Sequence, residues 1–300
     1  MKVALLPQIV PEYRLAIEKA GGEVTALAPD VTALVWTDYS QPALLAETLD
    51  QNPQVQWVQL PFAGVDAFAS ILQTPFRFTS AKGAYAQPVA EHALALCLAL
   101  GRAIPERVRA TSWGEKFAVS LYEARVLIVG GGGIAEELVR LLAPFGCPVT
   151  VVRKNPELAL GSATYGFERL DDELPKADFV IVAAALTAET NGLFNQRRIA
   201  LMNRRAYLVN VARGKHVVTE DLVAALNAGV IAGAAVDVTD PEPLPSGHEL
   251  WSAKNCIVTP HTADTPEQVT RMLAERIYRN VLAFQGKGEW VGLVDPIAGY

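Results

Sequence analysis

Cysteine is scarce in this chain. Cys97, Cys147 and Cys256 stand far apart among 300 residues, and none has CxxC spacing. An odd, scattered set excludes a disulfide framework and a cysteine metal cluster, and it fits the reducing cytoplasm. The four histidines are equally scattered, so no metal-ligand pattern emerges from them. Long apolar runs are missing too. The longest helix-like one, Ala93 to Leu100, is far short of a membrane span. The first residues offer five apolar side chains before Pro7, which reads as a strand and not as a signal peptide. Positive charge is in deficit: 26 Lys and Arg face 32 Asp and Glu, for a net charge of −6, with no long basic cluster. That balance argues against nucleic acid as the main partner. There is no GxSxG, so a serine-hydrolase elbow is excluded. Internal repeats and low-complexity segments are absent as well.

What is present is a core and a rhythm. Hydrophobic residues make up 51% of the chain, enough for one large domain or two. Short apolar strands alternate with helices throughout. Residues 1 to about 85 read as strands at Val3–Leu6, Thr32–Trp36, Val55–Leu60 and Phe76–Ser80, with helices at Pro11–Ala20 and Pro42–Leu49. This is an α/β unit with a parallel sheet. The loop Leu60 to Asp66 (LPFAGVD) follows a strand end, where ligands of parallel sheets usually bind, and Gly64 suits backbone capture of a carboxylate. A long helix over Pro88–Arg109, broken near Pro105, carries the apolar face Val89, Ala93, Leu96, Leu100 and Ile104.

The second unit begins with Arg125 to Val139 (RVLIVGGGGIAEELV): a buried strand, a glycine turn and a helix. The pattern Gly130-x-Gly132-x-x-Ala135 is the dinucleotide-binding turn, in which helix N–H groups face a pyrophosphate. Strands then follow at Pro148–Val152, Asp178–Ala184, Ala206–Asn210, Ile231–Val236 and Cys256–Thr259, with helices at Asn195–Met202, Glu220–Asn227 and Pro266–Phe284. The spacing predicts six or seven parallel strands, doubly wound. The expected architecture is a Rossmann domain over 88–267 and a smaller flavodoxin-like α/β substrate domain over 1–87 and 268–300.

Arg153 lies 21 residues after Gly132, where an NAD site carries an acidic residue for the ribose 2′-hydroxyl. A carboxylate there repels a 2′-phosphate, whereas an arginine pairs with it, so NADP is the expected cofactor and NAD the alternative. Arg213, Glu242 and His261 all fall in loops after successive strands, which gather on one edge of such a sheet. The trio suits hydride transfer to a 2-oxo acid. Protonated His261 supplies the proton, Glu242 orients the imidazole and raises its pKa, and Arg213 binds the substrate carboxylate and polarises the carbonyl. His216 and His248 stand in more polar stretches and are set aside, and His92 reads as a packing or interface histidine.

These segments resemble the D-isomer-specific 2-hydroxyacid dehydrogenases. The likeness runs through VAEH (89–92), the glycine turn, LTAET (186–190), NVARG (210–214), AVDV (235–238), PEPLP (241–245) and TPH (259–261). The resemblance implies that Arg213, Glu242 and His261 are catalytic and that Ala63, Gly64 and Val65 contact the substrate carboxylate. It further implies cofactor contacts from Gly130, Gly132, Gly133, Ile134, Arg153, Lys154, Leu186, Thr187, Val211, Ala212, Asp237 and Ala263. It implies a cytoplasmic homodimer paired through the nucleotide domain, with much of the interface in 88–120. Departures from the family pattern are Ala135 for the third glycine, Gly133 for a basic or polar residue, Ala185 for a proline, and Asp264 for a small residue. Arg153 looks like the NADP-using glyoxylate/hydroxypyruvate reductases, and the expected substrate is a small 2-oxo acid of that kind. A dinucleotide-sensing binding protein of the same fold is the other reading; the intact trio favours an enzyme.

Overall fold

The computed structural model describes residues 1–297, so the last three positions of the 268–300 segment lie outside the described residues. The chain divides into two compact units, Met1–Tyr85 with the segment from Thr265 onward, and Ala86–Asp264.

The first unit opens with β1 (Lys2–Leu6), α1 (Pro11–Lys19), β2 (Glu23–Thr25), β3 (Ala33–Trp36), α2 (Pro42–Asp50), β4 (Trp57–Gln59) and β5 (Arg77–Thr79). These strands form one sheet in the order β2-β1-β3-β4-β5, with every pairing parallel. β3 and β4 are buried along their whole length, as expected of parallel strands covered on both faces.

The second unit contains α3 (Ala86–Gly101), α4 (Ile104–Arg109), β6 (Val126–Val129), α5 (Gly133–Leu142), β7 (Val149–Val152), β8 (Ala163–Tyr165), α6 (Leu170–Glu173), β9 (Phe179–Val182), α7 (Gln196–Leu201), β10 (Tyr207–Asn210), α8 (Thr219–Ala228), β11 (Gly233–Val236) and β12 (Cys256–Val258). Its seven strands run in the order β12-β11-β10-β9-β6-β7-β8, all parallel. The order reverses between β6 and β9, which is the switch point of a doubly wound sheet. Alternate residues serve the two faces, because successive Cβ atoms of a strand point opposite ways. Leu127, Val129, Val180 and Val182 join Ile199 of α7 and Leu222 and Leu226 of α8 in one core. Val126, Ile128, Phe179 and Ile181 join Ala93 and Leu96 of α3 and Leu138 of α5 in the other.

α9 (Pro266–Phe284) belongs to the first unit and packs on α1. Its buried Asn280 donates to Gln59 Oε1 at 2.8 Å, and its buried Arg276 donates to the carbonyls of Ser80 and Lys82. No helix among the described residues is long and apolar enough to cross a membrane.

Two expectations need correction. The helix over 88–109, expected to break near Pro105, breaks a few residues earlier, after Gly101. α3 ends at Gly101, whose carbonyl accepts from Val119 N–H at 2.6 Å, and Ala103 takes a left-handed φ of 53° before Pro105 starts α4. Val119 passes so close that a Cβ on Gly101 would lie 2.8 Å from its carbonyl oxygen. The helix therefore stops before the expected apolar face is complete, and Ile104 is exposed. The other correction adds strands: β2 and β8 are three-residue edge strands with no buried residue between them.

Candidate active site

The loops carrying the expected cofactor and catalytic residues follow strands of the seven-stranded sheet. The turn after β6 has two tight glycines and one open one. Gly130 has φ 119°, and a Cβ there would meet the backbone of Ala183 and Ala184, the latter at 2.6 Å, so only glycine lets β6 run this close to the end of β9. Gly132 faces open space, with nothing within 4 Å of an added Cβ. It is the N-cap of α5, and no side chain caps that helix. The first N–H groups of α5 therefore have no intrahelical partner and are available to an anion. Ala135 is fully buried, so the third small residue of the motif serves helix–sheet packing. Arg153 leaves β7 and lies half-buried against Gly131, with Nη1 donating to the carbonyl of Leu158 at 3.2 Å. Lys154, beside it, is exposed.

The loop after β9 is held by Thr190. Its hydroxyl accepts from Thr187 N–H at 2.8 Å and donates to the carbonyl of Ala185 at 2.8 Å, which fixes the stretch containing Leu186 and Thr187.

After β10, the buried side chain of Asn210 folds Val211–Arg213 into a tight loop. Its Oδ1 accepts from Ala212 N–H at 3.1 Å and its Nδ2 donates to the carbonyl of Arg213 at 2.9 Å. Gly214 is pressed against Thr239 and Asp240, so closely that a Cβ would stand 2.6 Å from Asp240 N. That contact brings the Arg213 loop beside the proline-rich loop carrying Glu242. Arg213 is half-buried and donates to the carbonyl of Ala212.

Glu242 and His261 meet directly. His261 Nδ1 donates to Glu242 Oε1 at 2.5 Å, and the two side chains are 49% and 40% exposed respectively, open to a ligand on their outer side. The carboxylate hydrogen bond raises the pKa of His261 above its ordinary value; desolvation and the nearby Arg213 charge oppose it but do not win. The same bond holds the Glu242 carboxyl below the usual carboxylate range, with Arg213 pulling the same way. With Nδ1 committed to Glu242, Nε2 is the ring nitrogen left to exchange a proton. The three residues expected to act together thus share one electrostatic neighbourhood.

His261 has a left-handed φ of 51°, unusual for a residue other than glycine. Asp237, at the end of β11, clamps this turn. Its carbonyl accepts from His261 N–H at 2.7 Å. Its buried carboxylate accepts from Thr259 Oγ1 at 2.5 Å, Thr262 N–H at 2.9 Å and Ala263 N–H at 3.2 Å. His92 of α3 approaches the same carboxylate at 3.3 Å and the Thr259 hydroxyl at 3.1 Å. Burial pushes the Asp237 carboxyl up, but the bonds from His92, Thr259 and Thr262 outweigh it and hold it below its ordinary value. Asp264 follows on the same turn. Burial raises its carboxyl, Asp237 pushes the same way, and His261 pulls against them.

Three residues of this neighbourhood escaped the sequence reading. His216 lies in a polar stretch, yet it is fully buried, with its ring nitrogens 3.0 Å from the carbonyl of Arg213 and 3.3 Å from that of Ala185. It ties the β10 loop to the β9 loop. Asn210 carried a signal, a polar residue ending an apolar strand. The His92–Asp237 contact spans 145 residues and carried none. The cysteines offer no nucleophile: burial pushes the thiols of Cys97 and Cys256 up to about 12. Ala63, Gly64 and Val65 lie in the first unit, in the loop after β4, with Val65 buried.

Residues 93–263 match the model of the D-isomer specific 2-hydroxyacid dehydrogenase NAD binding domain. Over its whole length the chain is 33% identical to an uncharacterized protein from the proB 3′ region of Corynebacterium melassecola, all of which is covered. A glyoxylate reductase of Pyrococcus furiosus is 32% identical, over 87% of this chain and 81% of its own. Among solved structures, a D-isomer specific 2-hydroxyacid dehydrogenase from Xanthobacter autotrophicus, in complex with NADPH and MES, superposes with a TM-score of 0.86 at 28% identity, covering 100% of this chain and 99% of that one. With a doubly wound sheet, a glycine turn at its switch point and that match over more than half of its length, the chain belongs to the D-isomer-specific 2-hydroxyacid dehydrogenase family, oxidoreductases of 2-hydroxy acids.

Proposed function

We propose that this enzyme reduces a small 2-oxo acid, glyoxylate or hydroxypyruvate, with NADPH. The observation that carries the reading is the 2.5 Å bond between Glu242 and His261, beside Arg213. Cofactor chemistry fits the residues present: the open space at Gly132 and the uncapped start of α5 form a cradle for a pyrophosphate. Gly130, Gly132, Gly133 and Ile134 would hold it there. Arg153 and Lys154 would pair with a ribose 2′-phosphate, and Leu186, Thr187, Val211, Ala212, Asp237 and Ala263 would line the remaining path. When bound, the nicotinamide supplies hydride to the carbonyl carbon of the oxo acid.

The protein's own residues do the rest. Arg213 binds the substrate carboxylate and draws electron density toward the carbonyl oxygen. His261 gives that oxygen the proton from Nε2. Glu242 keeps the imidazole oriented and raises its pKa. The carboxylate contacts assigned to Ala63, Gly64 and Val65 belong to the first unit. The NADPH-bound Xanthobacter relative and the Pyrococcus glyoxylate reductase support the same cofactor and substrate class.

Purified enzyme tested with NADPH and NADH against a panel of 2-oxo acids decides the matter. Faster oxidation of NADPH than of NADH, with glyoxylate or hydroxypyruvate as the best acceptor, is the expected result. No preference for either acid over the rest of the panel overturns the substrate, and an NADH preference overturns the cofactor.

A cytoplasmic homodimer completes the proposal. Three free thiols fit a reducing compartment. The stretch 104–122 exposes Val108, Trp113, Phe117 and Tyr122, with Trp113 at 92%, an apolar surface of the sort that a second copy covers. Sedimentation equilibrium should return the mass of two chains; the mass of one removes the dimer.

A further inference from the structure

The glycines of the β6 turn stand there for different reasons, and the middle one points to a specificity device. Gly130 needs its left-handed φ and its contact with the Ala183–Ala184 backbone, and Gly132 faces empty space. Gly131 needs neither. Its φ lies outside the left-handed region, so the backbone there accepts any L residue. What excludes a side chain is Arg153. A Cβ on Gly131 would stand 2.6 Å from Arg153 Cδ and 2.7 Å from Cζ, well inside carbon–carbon contact, and the three nearest atoms all belong to that one side chain.

We infer that Gly131 is a specificity-determining residue: by lacking a side chain it lets the Arg153 guanidinium lie across the glycine turn, where a ribose 2′-phosphate is recognised. The inference rests on the NADP(H) reading above and extends it, because it makes cofactor choice a property of a pair of positions and not of Arg153 alone.

The geometry supports the pairing. β6 and β7 are parallel neighbours, with Val129 opposite Val152. Gly130 N–H donates to the carbonyl of Val152 at 2.8 Å, which fixes the turn against the start of the Arg153 segment. Arg153 N–H donates to the carbonyl of Tyr165 on β8 at 2.9 Å, and Nη1 donates to the carbonyl of Leu158 at 3.2 Å. The side chain is thus held at its root, by its tip, and by the flat glycine beneath it. A guanidinium held in one orientation before its ligand arrives loses less rotamer freedom on binding, and its planar fork suits a phosphate. The atoms nearest an added Cβ at 131 are those of this flexible arm, so a methyl there displaces the arm and the pre-organised cation is lost while the fold is kept.

The test is a double-mutant cycle read by calorimetric titration with NADP⁺ and NAD⁺, using Gly131→Ala, Arg153→Ala and the double variant. Adenosine 2′,5′-bisphosphate and adenosine 5′-monophosphate report on the same contact without the nicotinamide. Arg153→Ala should weaken NADP⁺ binding roughly 10- to 100-fold more than NAD⁺ binding, the scale of a charge-assisted contact. Gly131→Ala should move the ratio of the two dissociation constants in the same direction by about fivefold or more, and should not move it at all when Arg153 is already alanine. If Arg153→Ala shifts the ratio and Gly131→Ala does not, the inference falls while the NADP(H) reading stands. If Arg153→Ala leaves the ratio unchanged, that reading falls and takes the inference with it. Equal losses for both dinucleotides mean that Arg153 stacks on the adenine, which also overturns the proposal. Should Gly131→Ala fail to fold, the double variant must recover folding; if it does not, the clash lies elsewhere and the inference is wrong.

Discussion

Asp237→Ala is the substitution for which the structure supplies the most arithmetic. The carboxylate is buried, with its side chain 1% exposed. It satisfies the Thr259 hydroxyl and the main-chain N–H groups of Thr262 and Ala263. Alanine leaves all three without it. The Thr259 hydroxyl can turn to His92 Nε2, already 3.1 Å away, while the part-buried N–H groups of Thr262 and Ala263 are left to solvent. A buried donor left unsatisfied costs roughly 1–3 kcal/mol, so the half-buried Ala263 N–H sets the expected loss at about 1–3 kcal/mol, with the exposed Thr262 adding little. For a unit of this size each kcal/mol moves Tm by about 2–4 °C, so a fall of about 2–12 °C is expected by scanning calorimetry. The pH dependence has a definite sign. The Asp237 carboxyl is held below its ordinary value, so its stabilisation is full above the usual carboxylate range and disappears as pH falls through the depressed value. The gap between wild type and variant should therefore narrow in acid. Asp237→Asn keeps the shape but replaces one acceptor with a donor, and should fall between the two. Activity should fall with stability, because the left-handed turn at His261 loses its clamp. A variant that melts within about 2 °C of wild type refutes the idea that this carboxylate carries the turn.

Other substitutions probe the proposed chemistry directly. His261→Ala should lower kcat by about 100- to 10,000-fold while calorimetry finds NADP⁺ affinity little changed; a near-wild-type rate would remove His261 from the mechanism. Glu242→Gln takes away the charge that raises the His261 pKa, so the alkaline limb of the reduction profile should move toward acid, and a limb that stays in place contradicts the pairing. Asp264→Ala removes a carboxylate from the His261 turn, so the KM for an anionic oxo acid should fall; an unchanged or higher KM means that Asp264 does not face the substrate.

Helices that start at proline, as at Pro11, Pro42 and Pro266, were legible because the ring pre-sets φ and its missing N–H is not needed in the first turn. The strands β6, β9 and β11 were legible because each is a short apolar run buried on both faces. The edge strands β2 and β8 were not: each is three residues long and not fully buried, so no apolar run marks it. Pro105 marked the break between α3 and α4, but its exact place goes with a main-chain bond from Val119 to Gly101, 18 residues apart, which no local pattern reports. At the site, Arg213, Glu242 and His261 were readable from their places after strands, because loops at the C-terminal edge of a parallel sheet converge whatever their sequence separation. His216 was set aside as a catalytic residue, and its burial went unread because Lys215 beside it is polar and exposed while its own ring is wholly buried. The contact of Gly131 with Arg153 was invisible for a simpler reason: a glycine run looks the same whether a residue in it is required by φ, by backbone or by a neighbouring arginine.

Two of the carboxylates near His261, Asp237 and Glu242, divide their work according to solvent. Asp237 is buried and bound to main-chain N–H groups, so it fixes where the imidazole stands and has little freedom to respond to it. Glu242 is 40% exposed and bonded to the ring itself, so its charge acts on the protonation of His261. Arg213 opposes that action, since a cation disfavours a second one nearby, yet the net shift of His261 is upward. An imidazole with a raised pKa keeps its acid form to higher pH than an ordinary histidine and becomes a base only when the pH climbs beyond the raised value. In the proposed mechanism reduction of the oxo acid needs the acid form and oxidation of the hydroxy acid needs the base, so the Glu242 pairing extends the reduction limb toward higher pH and moves the onset of the reverse reaction the same way.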